Sequence, residues 1–171
     1  STEADFLAVQ ADYARRFKTL QENLEVMLRT WRGDAVFGPA VTPWPGHEQG
    51  PPVFLGAWHS TRWIQYAAKQ CRGWLASGIY SSLGEVAEGA VKFRAAGGNR
   101  VILANVFTDL RPQPVTHPLI ERARINLVCD PDEARERLAN IADSGIDDIL
   151  LICPFDDPNQ LEQLRRLVPG P

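Results

Sequence analysis

The feature that most constrains this chain is a repeated pairing of a short apolar segment with an amphipathic one. Apolar runs lie at residues 53–57, 74–77, 101–107 and 146–153. Each run is followed by apolar residues at steps of three and four, the pattern of a helix that packs through one face. Four strand–helix units in succession predict a parallel sheet with right-handed helical crossovers.

Local signals mark where the helices of this region begin and end. Asp130 suits an N-cap, Pro131 the first helical position, and Glu133 follows the cap by three residues. Gly145 ends that helix, and a similar cap at Asp157 begins a last one. Residues 125–129 form a short extended segment in this prediction.

The first part of the chain follows a different pattern. Apolar residues at steps of three and four across residues 7–31 predict one long amphipathic helix, with Gly33 as its C-terminal cap. Residues 38–52 hold five prolines and three glycines, which exclude a helix or a strand interior. We therefore expect a long loop between this helix and the first strand.

Two architectures fit the alternation: an open doubly wound sheet, or part of a (β/α)8 barrel. A whole barrel typically needs about 250 residues, and this chain has 171. A long helix comes first, with no strand visible before residue 7. We therefore expect residues 1–171 to be a single domain that begins in the middle of a larger fold.

Composition excludes several classes of protein. The net charge is −3, so there is no basic excess for nucleic acid or anionic lipid. The longest apolar run is far shorter than the roughly 20 residues that cross a bilayer. A cytoplasmic location follows by default, and Cys71, Cys129 and Cys153 are interpreted as reduced core thiols. Neither the cysteines nor the three histidines show metal-ligand spacing.

Candidate binding residues lie where the predicted strands end, because ligands of parallel α/β folds bind at the carboxyl ends of strands. Two strand ends resemble anion sites, in which a small residue, a hydroxyl and a helix N-terminus follow one another. These residues are Gly56, Ala57, Trp58, His59 and Ser60 after the first strand, and Ser77 and Gly78 after the second.

Each of these residues also has a purely structural interpretation. Ser60 could serve only as an N-cap, His59 as a polar loop residue and Trp58 as a packing residue. Asn105 and Asp109 flank the third strand end, and Asp156 the fourth. No single stretch supplies a nucleophile, a base and an orienting acid, so the catalytic residues stay unknown.

Four segments, in order, resemble one known family. Arg16 and Glu22 have the R-x5-E spacing of a helix that ends in Trp31 before a glycine. Residues 50–56 read G-P-P-V-F-L-G, residues 66–74 pass from a helix to Gly-Trp, and residues 139–147 lead into the last strand. Together they are similar to the bacterial luciferase-like monooxygenases and reductases, which depend on flavin or deazaflavin.

The resemblance implies the second half of a (β/α)8 barrel, roughly its fourth helix through its eighth. In that family the ends of the fifth and sixth strands help to bind the flavin phosphate, which implies this role for residues 57–60 and for Ser77 and Gly78. The implied cofactor is FMN, with the deazaflavin F420 as the alternative. The active-site histidine and much of the isoalloxazine pocket belong to the first half, so this chain alone is expected to be inactive.

Two positions depart from the family pattern. Ala57, Trp58 and His59 stand where a glycine pair is usual, which bulks up the loop. Arg72 stands where the family has an aspartate before Gly-Trp. The bulkier loop at Ala57, Trp58 and His59 implies a changed choice of cofactor or a loss of cofactor binding.

The resemblance implies an oxidoreductase that acts on a small organic substrate, with this chain supplying the phosphate-binding half of the barrel. The alternative is a non-catalytic half-barrel with a structural or flavin-binding role. Half of a parallel barrel exposes two sheet edges and an apolar interior. We therefore expect association with the missing N-terminal half or, as a homodimer, with a second copy.

Overall fold

A computed structural model of the chain describes residues 2–153 and 157–167. The chain divides into two compact units, Ser1–Pro51 and Pro52–Pro171. In the first unit, α1 spans Glu3–Ala8 and α2 spans Arg16–Trp31. No helix or strand lies between residues 32 and 53, so the predicted loop is confirmed.

The prediction of one helix over residues 7–31 is wrong in its first third. α1 ends at Ala8, and Gln10 takes a positive φ of 54°. Asp12 Oδ1 then accepts hydrogen bonds from the N–H groups of Ala14 and Arg15, at 2.8 and 3.3 Å. An aspartate that bonds the backbone just ahead of it competes with helix formation. The helix resumes as α2, which Gly33 follows with a φ of 89°.

The second unit confirms the predicted alternation of strands and helices. It adds one short helix that was not predicted, α5, and the extended segment at 125–129 forms a short strand, β4. Its elements, in chain order, are β1 (Phe54–Gly56), α3 (Thr61–Gln70), β2 (Gly73–Ser77), α4 (Leu83–Ala95), β3 (Arg100–Asp109), α5 (Pro118–Arg122), β4 (Asn126–Val128), α6 (Pro131–Asp143), β5 (Asp148–Ile152) and α7 (Pro158–Leu167).

All five strands form one parallel sheet, with β3 at its centre. β3 pairs with β2 along its first half, with β4 along its last three residues, and with β5 along its opposite edge. β1 pairs with β2. Among the described residues, β1 and β5 each have one partner strand, so the outer edge of each is unpaired.

The main core lies between one face of the sheet and the helices. Its strand residues include Leu55, Trp74, Val101 and Leu103, which pack with residues of α3, α4 and α6. The indole N–H of Trp74 donates to the carbonyl of Ala57 at 2.6 Å, which ties β2 to the end of β1. The buried Trp74 ring is thereby held against the loop that follows β1.

The opposite face of the sheet is less covered. Because side chains alternate along a strand, this face holds the residues between those of the core. Leu75 and Ile102 are paired in register on it and are half-buried. On β5, Leu150 is 51% exposed. The described chain therefore presents a partly open apolar sheet face.

All three cysteines are thiols and are half-buried. Cys71 packs against the main core, and Cys129 and Cys153 pack against a second cluster formed by residues of α6, α7 and the end of β3. Burial raises the pKa of each thiol. Across residues 2–153 and 157–167, no helix is long and apolar enough to cross a membrane.

Candidate functional site

The two predicted loops meet at the carboxyl ends of β1 and β2. Trp58, after β1, stacks on Tyr80, after β2, with ring centroids 4.4 Å apart and planes inclined by 29°. Trp58 is 54% exposed and Tyr80 47%. The structure thus brings the two stretches together through an aromatic pair, and Tyr80 is a member that the sequence prediction missed.

The N-terminus of α3 has no side-chain cap. Ser60 occupies the predicted N-cap position, but its side chain makes no capping hydrogen bond. The first turn of α3 contains no acidic residue. The first N–H groups of a helix lack intrahelical partners and carry partial positive charge. The dipole of α3 therefore gives this end a field that favours an anion.

The N-terminus of α4 is, by contrast, already satisfied. Ser82 Oγ accepts from the N–H of Glu85 at 3.3 Å, and Glu85 Oε2 accepts from the N–H of Ser82 at 2.7 Å. Arg124 also donates to Glu85, at 2.8 Å. The pKa of Glu85 is lowered mainly by the Ser82 N–H and then by the Ser82 hydroxyl, with smaller effects of Arg124 and His59. The carboxylate of Glu85 would repel an anionic ligand at the N-terminus of α4.

His59 is exposed and lies close enough to Glu85 to affect its ionisation. It lines a cavity of about 250 Å³ between α3 and α4. The other lining residues are Ile64, Glu85, Glu88, Gly89 and Lys92. Within this cavity Lys92 pairs with Glu88 at 3.8 Å. His59 therefore faces the helix layer beside the open end of α3.

Gly78 is held between neighbouring strands. Its N–H donates to the carbonyl of Ala104 at 2.8 Å, and its own carbonyl accepts from the N–H groups of Arg124 and Ile125. A Cβ at this position would lie 3.1 Å from the carbonyl oxygens of Asn105 and Ile125. Glycine permits this close approach. Because its N–H is already bonded, Gly78 shapes the loop and has no amide to offer an anion.

Two buried hydroxyls near Gly78 have no partner among the described residues. Ser77 is 7% exposed and Ser81 is fully buried, and neither Oγ makes a hydrogen bond within residues 2–153 and 157–167. Buried polar groups are almost always bonded in folded proteins. The unsatisfied hydroxyls therefore mark a place where a hydrogen-bonding ligand would fit, and Ser81 was not among the predicted residues.

The remaining predicted strand ends contribute differently. Asp109 is buried and fully engaged with its neighbours, so its carboxylate is a structural group. Asn105 lies in β3 with a positive φ of 61°. Asp156 lies outside the described residues. Nowhere in the described ranges do three or more His, Cys, Asp or Glu side chains gather as a metal site.

Comparison with known proteins identifies the family. A family model described as luciferase-like monooxygenase matches residues 2–103. Among solved structures, the chain is similar to the monooxygenase RslO1 from Streptomyces bottropensis, with a TM-score of 0.75 and 15% identity, covering 98% of this chain and 64% of that one. It is also similar to apo-MsnO8, with a TM-score of 0.57 and 19% identity, covering 97% of this chain and 62% of that one.

These comparisons concern the fold of the chain rather than its individual site residues. No curated protein matches the chain. The chain spans about 62–64% of the length of the two solved structures. The predicted fold class, part of the (β/α)8 barrel of these monooxygenases, is confirmed. Because the family model covers more than half of the sequence, the chain belongs to the luciferase-like monooxygenase family.

Proposed function

We propose that this chain supplies the phosphate-binding part of a flavin-dependent monooxygenase that acts on a small organic substrate. The observation that carries the proposal is the uncapped, acid-free N-terminus of α3 at the carboxyl end of β1. The proposed cofactor is FMN, with the deazaflavin F420 as the alternative, and both present a phosphate. The alternative, a non-catalytic half-barrel, is not favoured. The matching family model describes monooxygenases, and the similar structure RslO1 is a monooxygenase.

The residues of the β1 end would share the binding of the phosphate. Gly56 leaves room beside the backbone, since a Cβ there would meet nothing within 4 Å. Ala57 holds the loop in place, because its N–H donates to the carbonyl of Leu75 and its carbonyl accepts from Trp74. The hydroxyl of Ser60, which makes no capping hydrogen bond, can donate to the phosphate, and the positive end of the α3 dipole favours the anion. His59 belongs to the same loop, but it lines the cavity between α3 and α4 and would not contact the phosphate. The flavin, when bound, supplies the redox chemistry with oxygen or hydride.

The residues of the β2 end would hold a neutral part of the cofactor. Glu85 opposes an anion there, whereas the hydroxyls of Ser77 and Ser81 lack partners. Gly78 fixes the path of the loop by its three backbone hydrogen bonds. The two loops would therefore bind different parts of the cofactor. The β1 loop would bind the charged phosphate, and the β2 loop would bind neutral polar groups.

The outer edges of β1 and β5 would pair with further strands. Their unpaired backbone groups and the exposed Leu150 favour burial against another chain segment. We expect either the N-terminal half of a barrel or a second copy of this chain to cover them. The substrate would then be bound between the two halves.

Substitution at Ser60 tests the phosphate site. Asp and Asn are both strong N-cap residues, so Ser60→Asp and Ser60→Asn should fold equally well. Only Asp adds a negative charge next to the phosphate. Titration with FMN and with riboflavin is followed by flavin fluorescence. The unmodified chain and Ser60→Asn should each bind FMN more tightly than they bind riboflavin.

Ser60→Asp should lose roughly five- to thirtyfold in FMN affinity, the equivalent of about 1–2 kcal/mol. Its affinity for riboflavin, which has no phosphate, should be unchanged. Equal FMN affinities of the Asp and Asn variants would show that the phosphate does not bind at this end of α3. If the chain together with the N-terminal half of the barrel binds none of FMN, riboflavin and F420, the proposed function is refuted altogether.

A further inference from the structure

The cavity between α3 and α4 has an apolar floor and charged walls. Its volume is about 250 Å³, and Ile64 and Gly89 form the floor. Ile64 is 1% exposed, and Gly89 packs so closely on the Trp74 ring that a Cβ there would lie 2.3 Å from it. The floor is therefore part of the packed core. A pre-formed apolar surface with a few polar groups around it is typical of a small-molecule site.

The charged residues of the cavity are arranged along one face of α4. Glu85, Glu88 and Lys92 follow one another at steps of three and four, so they lie on the same side of the helix. Seven residues of helix separate the Cα atoms of Glu85 and Lys92 by about 10 Å. His59 lies close enough to Glu85 to affect its ionisation. The cavity thus has Glu85 and His59 at one end and Lys92 at the other.

The carboxylate of Glu85 keeps one oxygen available. Its Oε2 accepts from the N–H and the hydroxyl of Ser82, at 2.7 and 2.9 Å, and from Nη1 of Arg124 at 2.8 Å. All three donors converge on this one atom. Oε1 accepts no hydrogen bond from residues 2–153 and 157–167. A ligand that donates hydrogen bonds therefore finds an acceptor at this end of the cavity.

The other charged groups of the walls are also without hydrogen bonds. Lys92 Nζ and Glu88 Oε2 are 3.8 Å apart, which is too long for a hydrogen bond. Within the described part of the chain, neither of these side chains nor that of His59 makes one. An exposed ion pair of this kind contributes little to stability. Lys92 is therefore able to donate to a ligand, and Glu88 and His59 are able to accept from one.

The charges of the walls favour a ligand that carries both signs. Arg124 balances Glu85, and Lys92 balances Glu88, so the walls have no net excess of either charge when His59 is neutral. A simple anion would be repelled at the Glu85 end, and a simple cation at the Lys92 end. A zwitterion brings a charge of the favourable sign to each end. The described His, Cys, Asp and Glu residues gather at no metal site, so the acceptors suit an organic ammonium group.

We infer that this cavity binds a small zwitterion of the ω-amino acid type, with an ammonium group at one end and a carboxylate at the other. The ammonium group would bind Oε1 of Glu85 and the carboxylate of Glu88, with His59 as a further acceptor. The aliphatic chain would lie on Ile64, and the ligand's carboxylate would bind Lys92. This site lies between two helices and is separate from the phosphate site proposed at Ser60.

The test compares γ-aminobutyrate, butylamine and butyrate, which share one aliphatic chain and differ in their charged groups. Each is titrated into the isotope-labelled chain at constant ionic strength, because salt screens exposed charges, and backbone amide shifts are followed by NMR. γ-Aminobutyrate should shift the amides of residues 59–64 and 85–92, and should bind at least about fivefold more tightly than either single-charge analogue. Equal binding of the three compounds, or shifts confined to other residues, would overturn the inference.

Two substitutions test the two ends of the cavity separately. Lys92→Gln and Glu85→Gln should each weaken the binding of γ-aminobutyrate about three- to tenfold. Lys92→Gln should not weaken the binding of butylamine, and Glu85→Gln should not weaken that of butyrate. Glutamine serves as well as glutamate at this position of a capping box, so α4 should keep its N-terminus.

The matched control is Lys69→Gln, because Lys69 is exposed near the end of α3 and outside the cavity. Its affinity for γ-aminobutyrate should equal that of the unmodified chain. If Lys69→Gln and Lys92→Gln weaken binding equally, the ligand responds only to the overall charge and the inference fails. The titrations contain no flavin, so their result is independent of the proposed function.

Discussion

Gln160 in α7 donates a hydrogen bond from Nε2 to Oδ1 of Asp109, at the end of β3, over 2.8 Å. Its Oε1 accepts from the N–H of Leu110 at 3.0 Å. Both Gln160 and Asp109 are 1% exposed. A single carboxamide therefore joins the last described helix to the central strand and satisfies two buried groups.

Replacing Gln160 with leucine should lower the free energy of unfolding by about 2–3 kcal/mol, because the Leu110 N–H is left buried without an acceptor. Urea denaturation followed by circular dichroism measures the difference. Gln163→Leu is the matched control, since Gln163 is exposed on the same helix and should change stability by less than about 0.5 kcal/mol. Equal effects of the two variants would show that the α7 contact with β3 contributes little.

Asp109 should make the fold sensitive to acid. The hydrogen bonds from the Arg111 side chain, with further ones from the Val115 N–H and Gln160, hold its pKa well below the ordinary value for aspartate. A lowered folded-state pKa stabilises the fold above the unfolded value, about 3.9. This contribution is complete above about pH 5 and decreases as the pH falls below 4.

The measurement is the unfolding free energy of the unmodified chain and of Asp109→Asn between pH 7 and pH 3. The two curves should converge as the pH falls, because only the unmodified chain loses this carboxylate. Asp148 has a pKa lowered by the hydrogen bonds from Arg100, and it titrates in both proteins, so the difference isolates Asp109. Parallel curves would contradict the assignment.

The strands, helices and caps of the second unit could be predicted because their signals are local. Asp130 accepts hydrogen bonds from the N–H groups of Asp132 and Glu133, as the sequence indicates. The same apolar spacing misled the prediction across residues 7–31, where a turn at Asp12 interrupts the pattern without disturbing its period. Periodicity alone does not register a turn of that kind.

The sequence predicted which two loops form the candidate site, but it did not predict how their side chains are arranged. A serine precedes a helix both at Ser60, whose side chain makes no capping hydrogen bond, and at Ser82, which forms a capping box. The difference depends on side-chain rotamers and on Glu85. The register of β3 with β5 shifts at a bulge that includes Asn105, and this shift depends on a strand 43 or more residues further along the chain. The local sequence of β3 therefore does not predict the bulge.

Two glycines of α4 should respond to alanine with opposite signs. A Cβ at Gly89 would lie 2.3 Å from the Trp74 ring, which is anchored through its N–H to Ala57. Gly89→Ala should therefore cost about 1–3 kcal/mol through overpacking. A Cβ at Gly84 meets nothing within 4 Å, so Gly84→Ala should stabilise the helix by roughly 0.5 kcal/mol. Thermal unfolding of both variants gives the comparison, and a neutral Gly89→Ala would show that the indole can move.

Neighbouring serines in the β2 loop should also differ. Ser81 is fully buried with an unpartnered hydroxyl, so Ser81→Ala should leave the unfolding free energy unchanged or raise it by up to about 1 kcal/mol. Ser82 caps α4, and Ser82→Ala should lower it by about 1 kcal/mol. Both are measured without flavin. A clear loss of stability in Ser81→Ala would indicate that the apo protein already satisfies this hydroxyl.

The stacked rings of Trp58 and Tyr80 should be energetically coupled, because they are the direct side-chain contact between the two candidate loops. A double-mutant cycle with Trp58→Ala and Tyr80→Ala should give a coupling of about 0.5–1 kcal/mol in the free energy of unfolding. Tyr80→Phe keeps the aromatic face and should preserve the coupling. If the effects of the two alanine substitutions simply add, the rings do not hold the loops together, and the binding of flavin by one loop should then be independent of the other.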